Sequence, residues 1–258
     1  MTQNPVKLEV RNINKTFPSL PTIRDISLTL KQNEFVSVLG PSGCGKSTLF
    51  SIIAGLTKPD EGDVFIDGEN VTHRTGRVSF MHQKDLLLPW KTILDNAALP
   101  LFLKGVPADA ARNKANQYFR LFGLEGFQSY YPGQLSGGMR QRAALLRTFL
   151  FSRDVLLLDE PFGGLDAITR QSMQTWLMEV QKELQPSILL ITHDVDEAII
   201  LSDRVYVLSP RPAVIVEMFE IPLKRPRSLN LFTDQTYISL KKSILTCLTR
   251  PVLKGESI

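Results

Sequence analysis

The chain has 258 residues, 43% of them hydrophobic and 22% charged, with a formal net charge of +4. That length holds one large domain or two small ones, and the composition excludes a disordered chain. Lys and Arg are scattered and form no basic run, so nucleic acid is not the expected partner, and no apolar run approaches the roughly 18 residues that span a bilayer.

The start, MTQNPVKLEV, has no apolar stretch behind a basic cap, so no secretory signal is expected. Cys44 and Cys247 lie too far apart in sequence for a metal spacing or a disulfide framework. Together these features fit a soluble protein of a reducing compartment. Any membrane crossing would fall to another chain.

Residues 7–17 (KLEVRNINKTF) and 23–30 (IRDISLTL) alternate apolar and polar side chains as half-buried strands do. Residues 34–40 (EFVSVLG) are more uniformly apolar and run into a glycine-rich loop. Helical spacing follows over 46–56 (KSTLFSIIAGL). A short β ribbon over 62–71 turns at Asp67-Gly68. From about residue 86 to 150 helix-like segments dominate, namely 108–124 and 138–150, with no convincing strand between them. Strand and helix then alternate: strand 154–161 (DVLLLDEP), helix 170–184, strand 187–194 (SILLITHD), helix 195–203 and strand 204–210. Very apolar strands alternating with helices predict an α/β fold with a mostly parallel sheet covered on both faces. An antiparallel β subdomain and a helical insertion over about 86–150 are added to it. The tail, with YISLKKSILTCL at 237–248, reads as one amphipathic helix and a minor packing element.

The glycine-rich loop GPSGCGKST spans Gly40, Pro41, Ser42, Gly43, Cys44, Gly45, Lys46, Ser47 and Thr48. It matches the phosphate-loop pattern in its required strand–loop–helix setting. Backbone N–H groups turned inward and the dipole of the following helix make an anion nest there. Lys46 is placed to reach the β- and γ-phosphates, Ser47 to offer its hydroxyl to Mg²⁺, and Thr48 to touch the α-phosphate. Cys44 has two readings: a thiol activated by Lys46 and the helix N-terminus, or a small residue that merely fits. The apolar strand VLLLDEP ends in two carboxylates. Asp159 is a candidate Mg²⁺ holder through water, and Glu160 is the candidate base for an attacking water. Ser136-Gly137-Gly138, ahead of the helical run MRQRAALLRTFL, is either a second anion-binding helix start or a plain N-cap.

The phosphate loop, LSGG, LLLDEP, GGLD and ITHD follow one another in the order seen in ABC transporter ATP-binding subunits. The chain resembles that family over about residues 6–225, within a domain of 1–225 followed by a tail of 226–258. The resemblance implies a P-loop NTPase fold working as a head-to-tail dimer of two copies with two ATP molecules sandwiched between them. Ser136, Gly137 and Gly138 would then touch the γ-phosphate held by the partner copy's Lys46. Gln83 matches the glutamine that contacts Mg²⁺ and senses the γ-phosphate. His193 matches the switch histidine, a packed core histidine being the alternative. Asp166 matches the loop crossing the dimer interface. Phe17 matches the adenine-stacking ring, with a core role as its alternative. No catalytic role is expected for His82.

Leu88, Pro89 and Trp90 in LLLPWKTILDN stand where the family faces its membrane subunit; the alternative is packing on the insertion's own helices. That segment and LSPRPAVIVEMFEIPLKRPR resemble the importer branch for nitrate, sulfonates, taurine and thiamine-type pyrimidines. The resemblance thus implies ATP and Mg²⁺ as cofactors, two membrane permease subunits, an extracytoplasmic substrate-binding protein, and a peripheral place on the cytoplasmic face of the membrane. An exporter ATPase shares the catalytic motifs and is opposed only by LPW and SPRPA. A soluble ABC ATPase would bring a coiled coil, zinc cysteines or a second ATPase domain, none of which the sequence carries.

Overall fold

A computed structural model describes residues 4–152, 154–227 and 229–249. They fall into two compact units, one made of the residues up to Arg77 with those from Ser187 onward, the other of Val78–Pro186.

The first unit opens with strands β1 (Val6–Phe17) and β2 (Leu20–Lys31), then β3 (Phe35–Leu39), helix α1 (Lys46–Ile53), and strands β4 (Glu61–Ile66) and β5 (Glu69–Asn70). β1, β2, β4 and β5 form an antiparallel sheet in the order β2-β1-β4-β5. Its register follows from period-two alternation: Leu8 faces Leu30 and Ile66, and Val10 faces Leu28 and Val64, with every one of these side chains buried. The Asp67-Gly68 turn takes positive φ at both residues, 50° and 78°, as a two-residue hairpin with the sheet's twist requires. β3 is buried along its whole length, as a strand covered on both faces must be.

The second unit carries β6 (Ser79–Met81), α2 (Ile93–Leu103), α3 (Ala108–Asn116), a 3₁₀ turn (Pro132–Gln134), α4 (Gly137–Phe151), β7 (Val155–Asp159) and α5 (Ala167–Leu184). β6 and β7 run parallel. The helix expected over 108–124 ends at Asn116. Beyond it the chain tightens into turns, with the Phe119 amide bonded to the Asn116 carbonyl. Packing accounts for the break: Phe122 is buried against Phe149 and Trp176, and the Trp176 indole donates to the Leu121 carbonyl at 2.9 Å. Seating these rings outweighs continuing a helix whose next residues offer no stronger partner.

The chain returns to the first unit with β8 (Ser187–Thr192), α6 (Val195–Leu201), β9 (Arg204–Leu208), β10 (Ile215–Glu220), a 3₁₀ turn (Leu229–Thr233) and α7 (Gln235–Thr249). β3 pairs in parallel with both β8 and β9, and β10 adds an antiparallel edge. No described helix is long and apolar enough to cross a membrane.

Candidate active site

The phosphate loop lies in the first unit between β3 and α1. Gly43 and Gly45 take φ of 74° and 128°, positive values that glycine adopts without strain and that such a loop requires. A Cβ at Gly45 would also sit 3.0 Å from the Thr22 carbonyl, so no other residue fits there without moving β2. Lys46 is buried at the base of the loop, its Nζ donating to the Gly40 carbonyl at 2.8 Å and the Pro41 carbonyl at 3.0 Å. These weak neutral acceptors hold the ammonium in place without neutralising it. Ser47 is exposed at the first turn of α1.

Cys44 corrects the activated-thiol reading. It is 2% exposed and packed close to Gly40, and burial pushes its thiol above the ordinary range despite the nearby Lys46 and Arg211. Desolvation of the thiolate outweighs the two cations. Arg211 is a residue that sequence alone misses at this loop. It sits in the SPRPA stretch, and its Nη2 donates to the Gly43 carbonyl at 2.5 Å. The two residues are 168 positions apart, so only folding brings them together.

The same unit holds Phe17 and His193. Phe17 is 41% exposed at the end of the β1–β2 hairpin with the Lys15 ammonium over its ring, which removes the core alternative. His193 is exposed in the turn between β8 and α6, so it is not a packed core histidine. That turn is braced by its neighbours: Asp194 caps α6, and the Thr192 hydroxyl donates to Glu197 at 2.6 Å.

The second unit gathers the acidic strand end and the second glycine motif. Asp159 is buried at the tip of β7. Glu160 follows in a left-handed conformation with φ of 45°, which turns it out of the strand direction. The Gln83 amide donates to the Glu160 carboxylate at 3.3 Å. Two residues 77 positions apart and separately singled out thus meet. Ser136 caps α4, accepting from the Met139 amide at 3.3 Å, so the N-cap reading holds for its hydroxyl. Gly137 and Gly138 form the first turn. A Cβ on Gly138 would meet the Thr169 side chain at 3.0 Å, so glycine there lets the start of α4 approach the first turn of α5. Asp166 caps α5 through the amides of Ile168 and Thr169 and the Thr169 hydroxyl, and these donors hold its carboxyl below the usual carboxylate range.

The segment after Gln83 is held from two sides. Asn96, fully buried in α2, accepts from the Leu88 amide at 2.7 Å and donates to the carbonyls of Leu88, Lys91 and Thr92. From α4, Arg147 donates to the carbonyls of Asp85 and Leu86, and Arg140 pairs with Asp85 at 3.3 Å. This leaves Trp90 71% exposed and Leu86 and Pro89 exposed, against the alternative of full packing on the insertion's own helices. The backbone is pinned; Leu88 is half-buried and Leu87 turns inward, while Pro89 and Trp90 are presented.

No group of three or more His, Cys, Asp or Glu among the described residues could cage a metal ion. Mg²⁺ bound with a nucleotide does not need such a cage, since it takes one or two protein oxygens and completes its shell with phosphate and water. Taken unit by unit, the first has a hard oxygen donor in the exposed Ser47 hydroxyl and the second has one in the Asp159 carboxylate.

Residues 23–163 match the family model described as ABC transporter. The chain is 43% identical over 238 residues to the formylaminopyrimidine import ATP-binding protein ThiZ of Halalkalibacterium halodurans, covering 92% of this chain and 93% of that one. It is 39% identical over 246 residues to the nitrate import ATP-binding protein NrtD of Synechococcus elongatus, covering 92% and 90%. Among solved structures it matches the dimeric post-hydrolysis state of the ATP-binding cassette MJ0796 bound to ADP and Pi, with a TM-score of 0.72 and 28% identity over 84% of this chain and all of that one.

Proposed function

The chain belongs to the ABC transporter ATP-binding family and is an ATPase, and from that premise we propose that it powers uptake of a small solute of the nitrate, sulfonate, taurine or pyrimidine type through two separate membrane permease subunits. The observation that carries this reading is the pair of import-named relatives, aligned with the chain over nine-tenths of both partners. An extracytoplasmic binding protein would deliver the solute. The chain itself would sit on the cytoplasmic face of the membrane, with Trp90, Pro89 and Leu88 against the permease. The exposure of Trp90 on a pinned backbone supports that role.

For hydrolysis we assign Lys46 and the backbone N–H groups of residues 42–48 to the β- and γ-phosphates, and Phe17 to the adenine. Glu160 accepts a proton from the attacking water as the water oxygen bonds to the γ-phosphorus. ADP leaves, and the proton passes on to phosphate or solvent. Gln83, bonded to Glu160, keeps that carboxylate aimed, and its side chain can exchange this bond for one to water or phosphate. Mg²⁺, held by Ser47, Gln83 and Asp159, would supply charge neutralisation at the leaving phosphate oxygens. His193 contacts the γ-phosphate. Ser136, Gly137, Gly138 and Asp166 serve the nucleotide of the partner copy.

The test is affinity capture of the tagged chain from native membranes in mild detergent, with mass spectrometry of what accompanies it. A polytopic permease lacking its own ATPase, recovered in equal amount, is the expected result. Recovery from the soluble fraction alone, with no membrane partner, overturns the importer reading.

A further inference from the structure

Helix α6 begins two residues after His193, and the chain beyond residue 220 grips it at both ends. At its start, Asp196 accepts from the Tyr237 hydroxyl and pairs with Lys241, whose Nζ lies 2.7 Å from Oδ1 and 2.9 Å from Oδ2. At its end, the last carbonyls of the helix lack intrahelical donors. Arg227, itself buried, donates to the carbonyls of Ile199, Ile200 and Ser202. Arg225 donates to the Leu201 carbonyl at 2.6 Å and pairs with Asp203. Both cations lie where the helix dipole favours positive charge. α7 is more than surface padding, and this corrects its reading as a minor packing element. Tyr237, Ile244 and Cys247 are buried, and Asp234 caps the helix through the amides of Thr236 and Tyr237.

A seven-residue helix cannot hold its own position, since an isolated helix that short is unstable in water. What sets the position of α6 also sets the turn that carries His193, because Asp194 caps α6 through the amides of Asp196 and Glu197. We propose that Tyr237 and Lys241 are positioning residues for ATP hydrolysis: through Asp196 they lock the start of α6 and so aim His193. The tail then becomes a place from which the hydrolysis rate can be set without touching the nucleotide. This rests on the reading of His193 as the γ-phosphate contact.

The experiment uses the full chain and three variants, Tyr237→Phe with Lys241→Met, Lys241→Arg, and His193→Ala. Hydrolysis rate, MgATP affinity and Tm are measured for each. The double variant is expected to keep MgATP affinity within about twofold while its kcat falls about tenfold, with Lys241→Arg close to wild type. The chain has only three histidines, so imidazole ¹H–¹⁵N spectra resolve them. The His193 signal should shift or broaden in the double variant while those of His73 and His82 stay put. Unchanged kcat with an unchanged His193 signal overturns the proposal. So does a loss of kcat, affinity and Tm in parallel, which would mark a merely structural role. Full activity in His193→Ala instead overturns the histidine's assigned contact, and the imidazole spectrum still reports separately whether the tail aims that ring.

Discussion

Cys44 shows how one side chain's surroundings can reverse an inference made from its neighbours in sequence. A thiol between two glycines and two residues from Lys46 stands where thiolates are stabilised. Its sulfur, however, faces the packed interior beside Gly40. Burial raises the thiol's pKa, so at pH 7 to 8 less of it is thiolate than for an exposed cysteine, and reactivity grows only as pH rises. The other cysteine, Cys247, is buried as well. Ellman's reagent should therefore titrate almost no thiol in the native protein at pH 7.5 and both thiols in denaturant. MgATP should change nothing. Rapid reaction of one equivalent under native conditions would show that the loop opens enough to expose Cys44. Phe17 and His193 teach the same lesson in the opposite direction. Each carried a core alternative on sequence, and their exposure removes it.

At the level of elements, the segment 85–92 is irregular backbone held by side chains from two helices. Asn96 carries most of that load from inside α2, where its fully buried amide accepts from the Leu88 N–H and donates to the carbonyls of Leu88, Lys91 and Thr92. Asn96→Ala should cost about 2 to 4 kcal/mol, because unpaired buried polar groups bear the full desolvation penalty. At roughly 2 to 4 °C per kcal/mol for a chain this size, Tm should fall by several degrees. Hydrogen exchange read by mass spectrometry should show lost protection concentrated in 85–92. A Tm change below about 1 °C would assign the loop's order to Arg140 and Arg147 instead. The apolar strands and the glycine loops were legible in the sequence because each encodes its own backbone over a few residues. Such patterns need no distant partner. α2, with Pro100 inside it, and the edge strand β10 were not. A proline argues against a helix interior, and an exposed edge strand lacks the apolar run that marks β3, β7 and β8. Arg211 at the phosphate loop and Lys241 on Asp196 were equally unreadable, since ion and hydrogen-bond partners far apart in sequence leave no periodic trace.

For the molecule as a whole, the distribution of the motifs has a consequence for how many copies act together. The second glycine motif has its own capped helix, and the first turns of α5 pack against it at Gly138. Under the proposed function, Ser136, Gly137, Gly138 and Asp166 serve a nucleotide that another copy presents. If two copies close around ATP and reopen on hydrolysis, blocking the chemistry alone should hold them closed. Glu160→Gln does this with the smallest change available. The amide keeps the side chain's size and can still accept from Gln83, but it takes no proton from water. Hydrolysis should fall by about 10²- to 10³-fold, within the range a general base contributes. MgATP, and not MgADP, should then double the apparent mass in size-exclusion chromatography with light scattering. Adding Ser136→Arg to the same chain should prevent that doubling while leaving ATP bound, because the charge and bulk fall at the motif that would meet the partner's nucleotide. A Glu160→Gln protein that hydrolyses ATP at the wild-type rate removes Glu160 as the base. One that binds ATP but stays monomeric in detergent-free buffer means that closure needs the permease to hold the two copies together.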